Sequence, residues 1–150
     1  MIELIDITNT VNLQFDIVGC EFPDSKDNWY LLKVFVQQGS NRFEKTDSVI
    51  EIADLHKLYN WFNDLSKNRL PSEAQLCFTE PYFSLAFISY KNQVVTISIT
   101  LNYEFEPDFC FEFSDELQNS WTMVFELSKY NLVTILENLK QWIVKLPHRK

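Results

Sequence analysis

Val95-Thr96-Ile97-Ser98-Ile99-Thr100-Leu101-Asn102-Tyr103 alternates apolar and polar side chains without a break. A period of two, with β-branched residues along one edge and hydroxyls along the other, is the pattern of a half-buried strand. Working outward, Phe83, Leu85 and Phe87 alternate with smaller residues, and Lys91-Asn92 makes a hairpin-sized break before Val95. Trp121, Met123, Phe125 and Leu127 repeat the alternation downstream. Upstream, Ile2 to Ile7 and the run Val11, Leu13, Phe15, Ile17 read as strands. Trp29 to Val36 carries Lys33 as its only charge and reads as a strand buried on most of both faces. The turn residues Gln37 to Asn41 separate it from a more polar, edge-like strand over Arg42 to Ile50. Leu76 to Phe78 and Phe109 to Phe113 read as short strands.

Two segments change period. Ile52, Leu55, Leu58, Tyr59, Phe62 and Leu65 step by three or four, predicting an amphipathic helix over Ala53 to Ser66 that ends near Asn68 and Pro71. After Ser128, a natural N-cap, Leu132, Ile135, Leu136, Leu139, Trp142, Ile143 and Leu146 build one apolar stripe up to Pro147. The order strands, helix, strands, helix excludes alternation of single strands with helices, and with it a parallel doubly wound sheet. The expected fold is α+β: a twisted, mainly antiparallel meander with two helices packed against it, the second at the C-terminus. At 150 residues, with no low-complexity tract or fold repeat, the chain reads as one domain over 1–150.

The composition narrows the chemistry. Only Gly19 and Gly39 occur, so no glycine-rich phosphate loop can be written. Cys20, Cys77 and Cys110 lie far apart in apolar stretches and read as small buried hydrophobes; their number and spacing suit neither a disulfide framework nor a zinc site. His56 falls off the apolar stripe and His148 lies in the tail, neither beside a catalytic partner. No GxSxG or EF-hand pattern occurs, so no cofactor or metal is expected. The first residues lack a basic head and a long apolar segment, and no run approaches the ~20 residues of a membrane span. A cytoplasmic protein without a membrane partner is the expectation. Its net charge of −8 disfavours nucleic acid and favours encounter with a basic protein.

Three apolar runs close on an acid, a phenylalanine and a proline: Glu21-Phe22-Pro23-Asp24, Phe78-Thr79-Glu80-Pro81 and Glu104-Phe105-Glu106-Pro107-Asp108. Proline donates no ladder hydrogen bond, so each marks a turn whose acids face water. From Asn92 to Ser128 the chain has seven acids (Glu104, Glu106, Asp108, Glu112, Asp115, Glu116, Glu126) and no lysine or arginine. Such a one-sided segment reads either as a solvated rim or as a docking face for a cationic partner. The partner-binding candidates are Asp24, Asp27, Glu80, Glu104, Glu106 and Asp108, with Trp29 and Tyr82 as apolar anchors. Trp29 also suits the start of a buried strand. Two other readings stand beside docking. One is a small-ligand or carbohydrate-binding module using aromatics along a sheet face. The other is a hydrolase pairing Glu80 with Glu104 or Glu106, beside Tyr82 and Tyr103.

An ordered series of short motifs resembles the WapI family of bacterial immunity proteins. It runs from Gly19-Cys20-Glu21-Phe22-Pro23 through Asp27-Asn28-Trp29 to a helix carrying Leu58 and Trp61-Phe62. Phe78-Thr79-Glu80-Pro81 with Phe83-Ser84, then Leu101, Glu104-Phe105 and Pro107 follow. Trp121, Phe125-Glu126-Leu127 and Pro147 complete it. The chain departs from the family pattern at Cys20, where an aromatic is expected, and at Tyr82, where a small polar residue is commoner. The resemblance implies a non-enzymatic inhibitor that binds the toxic C-terminal domain of a large secreted or cell-surface toxin. It acts in the cytoplasm of the producing cell. Many such toxin domains are nucleases with positive surfaces, which an acidic inhibitor would occlude.

Overall fold

The computed structural model describes residues 1–20, 29–109 and 121–146. Eight strands and two long helices follow in the order read from the periodicities. They are β1 (Ile2–Ile5), β2 (Val11–Gly19), β3 (Trp29–Gln38), β4 (Asn41–Glu51), α1 (Ile52–Ser66), β5 (Gln75–Leu76), β6 (Phe83–Lys91), β7 (Val94–Leu101), β8 (Trp121–Leu127) and α2 (Lys129–Lys145). All pairings are antiparallel between sequence neighbours. The strands divide into two four-stranded sheets, β1-β2-β3-β4 and β5-β6-β7-β8, each an antiparallel meander, and with the two helices they make the expected α+β fold. Helix α1 interrupts the strand series between them.

Alternation survives in both sheets. Leu13, Phe15, Leu32, Val34 and Val36 point inward from the first sheet. Leu85, Ile97, Ile99, Met123 and Phe125 point inward from the second. In β3 the pattern is strict, so its outward residues Trp29, Leu31, Lys33, Phe35 and Gln37 are half-buried rather than sealed on both faces. The two inward faces share one apolar cluster with Leu55, Leu58, Phe62 and Leu65 of α1 and Leu132, Ile135 and Leu139 of α2. Where both sheets and both helices converge, an apolar cavity of about 30 Å³ remains, lined by Phe15, Leu32, Phe62, Phe83 and Leu139 among others. A space of that size admits nothing larger than a water molecule or two. At one flank the sheets are tied by the Ile7 amide donating to the Val124 carbonyl at 2.9 Å.

Local chemistry sets the element ends. Gly39 takes φ +60° in the two-residue turn joining β3 to β4, and Asn92 and Gln93 take φ +51° and +65° in the turn joining β6 to β7. Helix α1 starts one residue before the predicted Ala53, on a capping box in which the Glu51 amide donates to Asp54 Oδ2 at 3.0 Å. Ser128 caps α2 by accepting from the Asn131 amide at 3.2 Å. Asp6 is buried because its carboxylate turns the chain from β1 into β2, accepting from the amides of Thr10 and Val11.

Two further expectations change. Strand β7 stops at Leu101, before the predicted Tyr103; residues Tyr103–Phe105 form a 3-10 turn instead. Cys77 is exposed and Cys20 half-buried, so neither is the sealed hydrophobe its neighbours suggested. Cys20 packs against the core at the end of β2 but is only partly covered, and Cys77 lies just past the end of the two-residue strand β5. Cys110, the strand expected over Phe109 to Phe113 (beyond Phe109, which sits in a bend) and His148 lie outside the described residues.

The 3-10 turn hangs from Phe105, whose side chain is 0% exposed. Replacing Phe105 with Ala is expected to cost about 3–5 kcal/mol, the range for emptying a buried phenylalanine site. Urea unfolding of the two proteins at one pH measures it.

Candidate functional site

The 3-10 turn makes a corner. The Phe105 amide donates to the Asn102 carbonyl and the Glu106 amide to the Tyr103 carbonyl, closing the backbone around Tyr103 and Glu104. Phe105 and Pro107 face inward and are buried, so Tyr103, Glu104, Glu106 and Asp108 are left facing water. Tyr103 has φ +53°, a left-handed conformation that is uncommon for a bulky side chain. It leaves 66% of the residue exposed.

Across from this turn stands the segment before β6. The Asn102 amide donates to the Tyr82 carbonyl at 2.8 Å, fixing Glu80-Pro81-Tyr82 beside the 3-10 turn. The Tyr82 ring lies 6.0 Å from that of Tyr103 and 5.6 Å, edge-on, from that of Phe105. Desolvation raises the Tyr82 phenol above its ordinary value, and the carboxylates of Asp47, Glu80 and Glu104 raise it further by repelling the phenolate. The phenol therefore stays protonated throughout the physiological range and is available as a hydrogen-bond donor. Those three carboxylates all lie near enough to act on one phenol. Lys45 is the cation nearest to hand, 4.0 Å from Glu104, and both side chains are largely in water.

The structure thus gathers Glu80, Tyr82 and Glu104, with Glu106 and Asp108 following on the same exposed turn. Tyr103, Asp47 and Lys45 join them; sequence reasoning gave these three no part in partner binding. The sequence pattern makes Tyr103 the end of a strand and a sugar-stacking candidate. Lys45 and Asp47 sit on the edge strand, where the sequence showed only a polar alternation. Their side chains fall on the inward face, opposite Val34 and Leu32, and reach the corner because that edge of the first sheet meets the end of β7.

Trp29 is not part of this group. It begins β3 on the outward face, opposite Glu51 in register, and is half-buried. Glu126 lies on the outward face of β8, opposite Thr96. Asp24, Asp27, Glu112, Asp115 and Glu116 lie outside the described residues. Another concavity, of about 230 Å³, opens on the outward face of the first sheet between Gln14, Asp16, Lys33, Phe35 and Glu44. Its charges are already paired, Lys33 to Glu44 at 2.8 Å and the Met1 ammonium to Asp16 at 3.8 Å, and the Arg42 guanidinium stands 5.9 Å over the Phe35 ring. That aromatic face is taken within the chain. Among the described residues, no three His, Cys, Asp or Glu side chains are placed to hold a metal ion, and no helix is long and apolar enough to cross a membrane.

A comparison with curated proteins gave no match. The family model of the WapI-like immunity proteins, in contrast, matches residues 3–147. That span takes in both sheets, both helices and the whole carboxylate–tyrosine corner. This chain belongs to the WapI-like family of immunity proteins.

Proposed function

We propose that the protein neutralises a cognate toxin domain by stoichiometric binding in the cytoplasm, without turnover, and that the toxin presents a basic surface to it. The observation that carries this reading is the corner at Tyr82, where Asp47, Glu80 and Glu104 act together on one phenol and, among the described residues, Lys45 is the only cation paired with any of them. Glu106 and Asp108 extend the negative surface along the turn. The net charge of −8 adds a long-range field of the same sign. Such a surface steers a basic partner into encounter, while the aromatic contacts slow its departure. The tyrosine rings at Tyr82 and Tyr103 also suit a lysine or arginine side chain laid against their faces. A nuclease domain, which carries cations to hold phosphates, is the toxin class that fits this surface best. Asp24, Asp27 and Trp29 are kept as further proposed partner contacts on the strength of their residue types.

Growth arrest by the cognate toxin domain is expected to be relieved when this protein is co-expressed. The pair is then expected to elute together on gel filtration at one-to-one stoichiometry. Continued arrest with no joint peak would end the immunity reading for that pair.

Reversing two charges tests the corner itself. Glu104→Lys with Glu106→Lys is expected to weaken the complex by at least about tenfold, roughly 1.4 kcal/mol, and to flatten its dependence on salt. Both residues are exposed, and losing the solvated Lys45 contact costs the fold at most about 1 kcal/mol. Titration calorimetry across a range of ionic strength gives the comparison. Equal affinity at every salt concentration would remove the acidic corner from the mechanism.

A further inference from the structure

Strand β4 forms the outer edge of the first sheet and, with 11 residues, is the longest strand described. The other sheet edges are managed in different ways. The β1 flank is tied to β8 through the Ile7–Val124 hydrogen bond, and β5 is only two residues long. An edge as long as β4 carries a row of main-chain donors and acceptors that can template another strand.

The register identifies them. A two-residue turn makes its flanking pair, Gln38 and Asn41, a hydrogen-bonded pair. Hydrogen-bonded pairs then recur at every second position: Val36 with Phe43, Val34 with Lys45 and Leu32 with Asp47. The residues between them, Arg42, Glu44 and Thr46, aim their amides and carbonyls away from β3. The run closes at Ser48, whose amide donates to Asp47 Oδ1 at 2.8 Å, and the register shift at Tyr30/Leu31 follows. Among the described residues, no main-chain hydrogen bond from another element reaches Arg42, Glu44 or Thr46.

We infer that β4 receives an extended, basic segment of the toxin domain, which adds a fifth strand to the first sheet along Arg42, Glu44 and Thr46. This inference rests on the immunity reading and extends the corner at Tyr82 into a continuous interface. A strand laid on β4 alternates its own side chains between the two faces of the sheet. Those opposite Lys45 and Asp47 point to the inward side, where Glu80, Glu104 and the Tyr82 ring lie. Three carboxylates against the one ammonium of Lys45 favour a lysine or arginine there. A second copy of this chain is a poor occupant, because each copy brings a charge of −8. Main-chain bonds would supply affinity and the corner would supply selectivity.

Thr46→Pro removes one outward amide. Proline is tolerated at an edge position whose N–H faces solvent, so β3 and β4 stay paired. With the toxin domain whose growth arrest this protein relieves as the probe, Thr46→Pro is expected to weaken binding at least about tenfold, while Thr46→Ala binds as the parent does. Amides of Arg42, Glu44 and Thr46 in the parent protein are expected to exchange hydrogen fast when free and at least about tenfold more slowly in the complex. The exchange measurement decides the matter even if the proline variant does not fold. A complex that forms with unchanged exchange at these amides overturns strand addition and leaves the immunity reading standing. Slow exchange in the free protein that speeds up on dilution would give the edge to a second copy and overturn it too. Absence of any complex with the parent protein removes both.

Discussion

Both sheets have one alternating apolar face, and neither face can be left in water. The inward side chains of β2, β3, β6, β7 and β8 share a single cluster with the stripes of α1 and α2, and the placement of everything else follows from that shared burial. Phe15 of the first sheet lies 5.5 Å, ring to ring, from Phe83 of the second, and Phe83 stacks on Phe78 at 4.6 Å. This chain of rings runs along the start of β6 and fixes where the segment before it emerges. That segment carries Glu80 and Tyr82. At roughly 25 cal/mol for each Å² of apolar surface removed from water, such burial outweighs any surface ion pair in the molecule.

The carboxylate corner is therefore a consequence of packing. Phe105 and Pro107 face inward on alternate positions of the turn, which leaves Glu104, Glu106 and Asp108 outside. A 3-10 turn with Tyr103 in a left-handed conformation is costly alone, by about 1–3 kcal/mol, and the sealed Phe105 ring offsets it. The corner is held by apolar anchors, so its charges need not be paired within the chain to keep their geometry. That is the arrangement a rigid docking surface calls for: a partner docking on it would meet carboxylates already in place, with little ordering left to do.

The edge strand and the corner are also linked through β4. Its outward face carries the Lys33–Glu44 pair and the Arg42–Phe35 contact, both closed within the sheet. Its inward face carries Lys45 and Asp47 toward the corner. One strand thus keeps its outward side chains satisfied while its inward side chains help to build the acidic surface.

Much of the local structure was legible in the sequence because it depends on neighbours a few residues away. The period of two along Val95 to Leu101 and the period of 3.6 along Leu132 to Leu146 each declare an element and its buried face. Ser128 declares a helix start, and the breaks at Gly39 and Asn92 declare hairpins. The motif series from Gly19 to Pro147 carried the family as well. Other features were settled only by tertiary structure: the division of eight strands into two sheets, the end of β7 at Leu101, the outward thiol of Cys77, and the meeting of Lys45 and Asp47 with Glu104. Periodicity states which side of a strand is buried but not what lies across from it. Residues separated by some 60 positions come together only because the inward faces of two sheets and two helices must share one core.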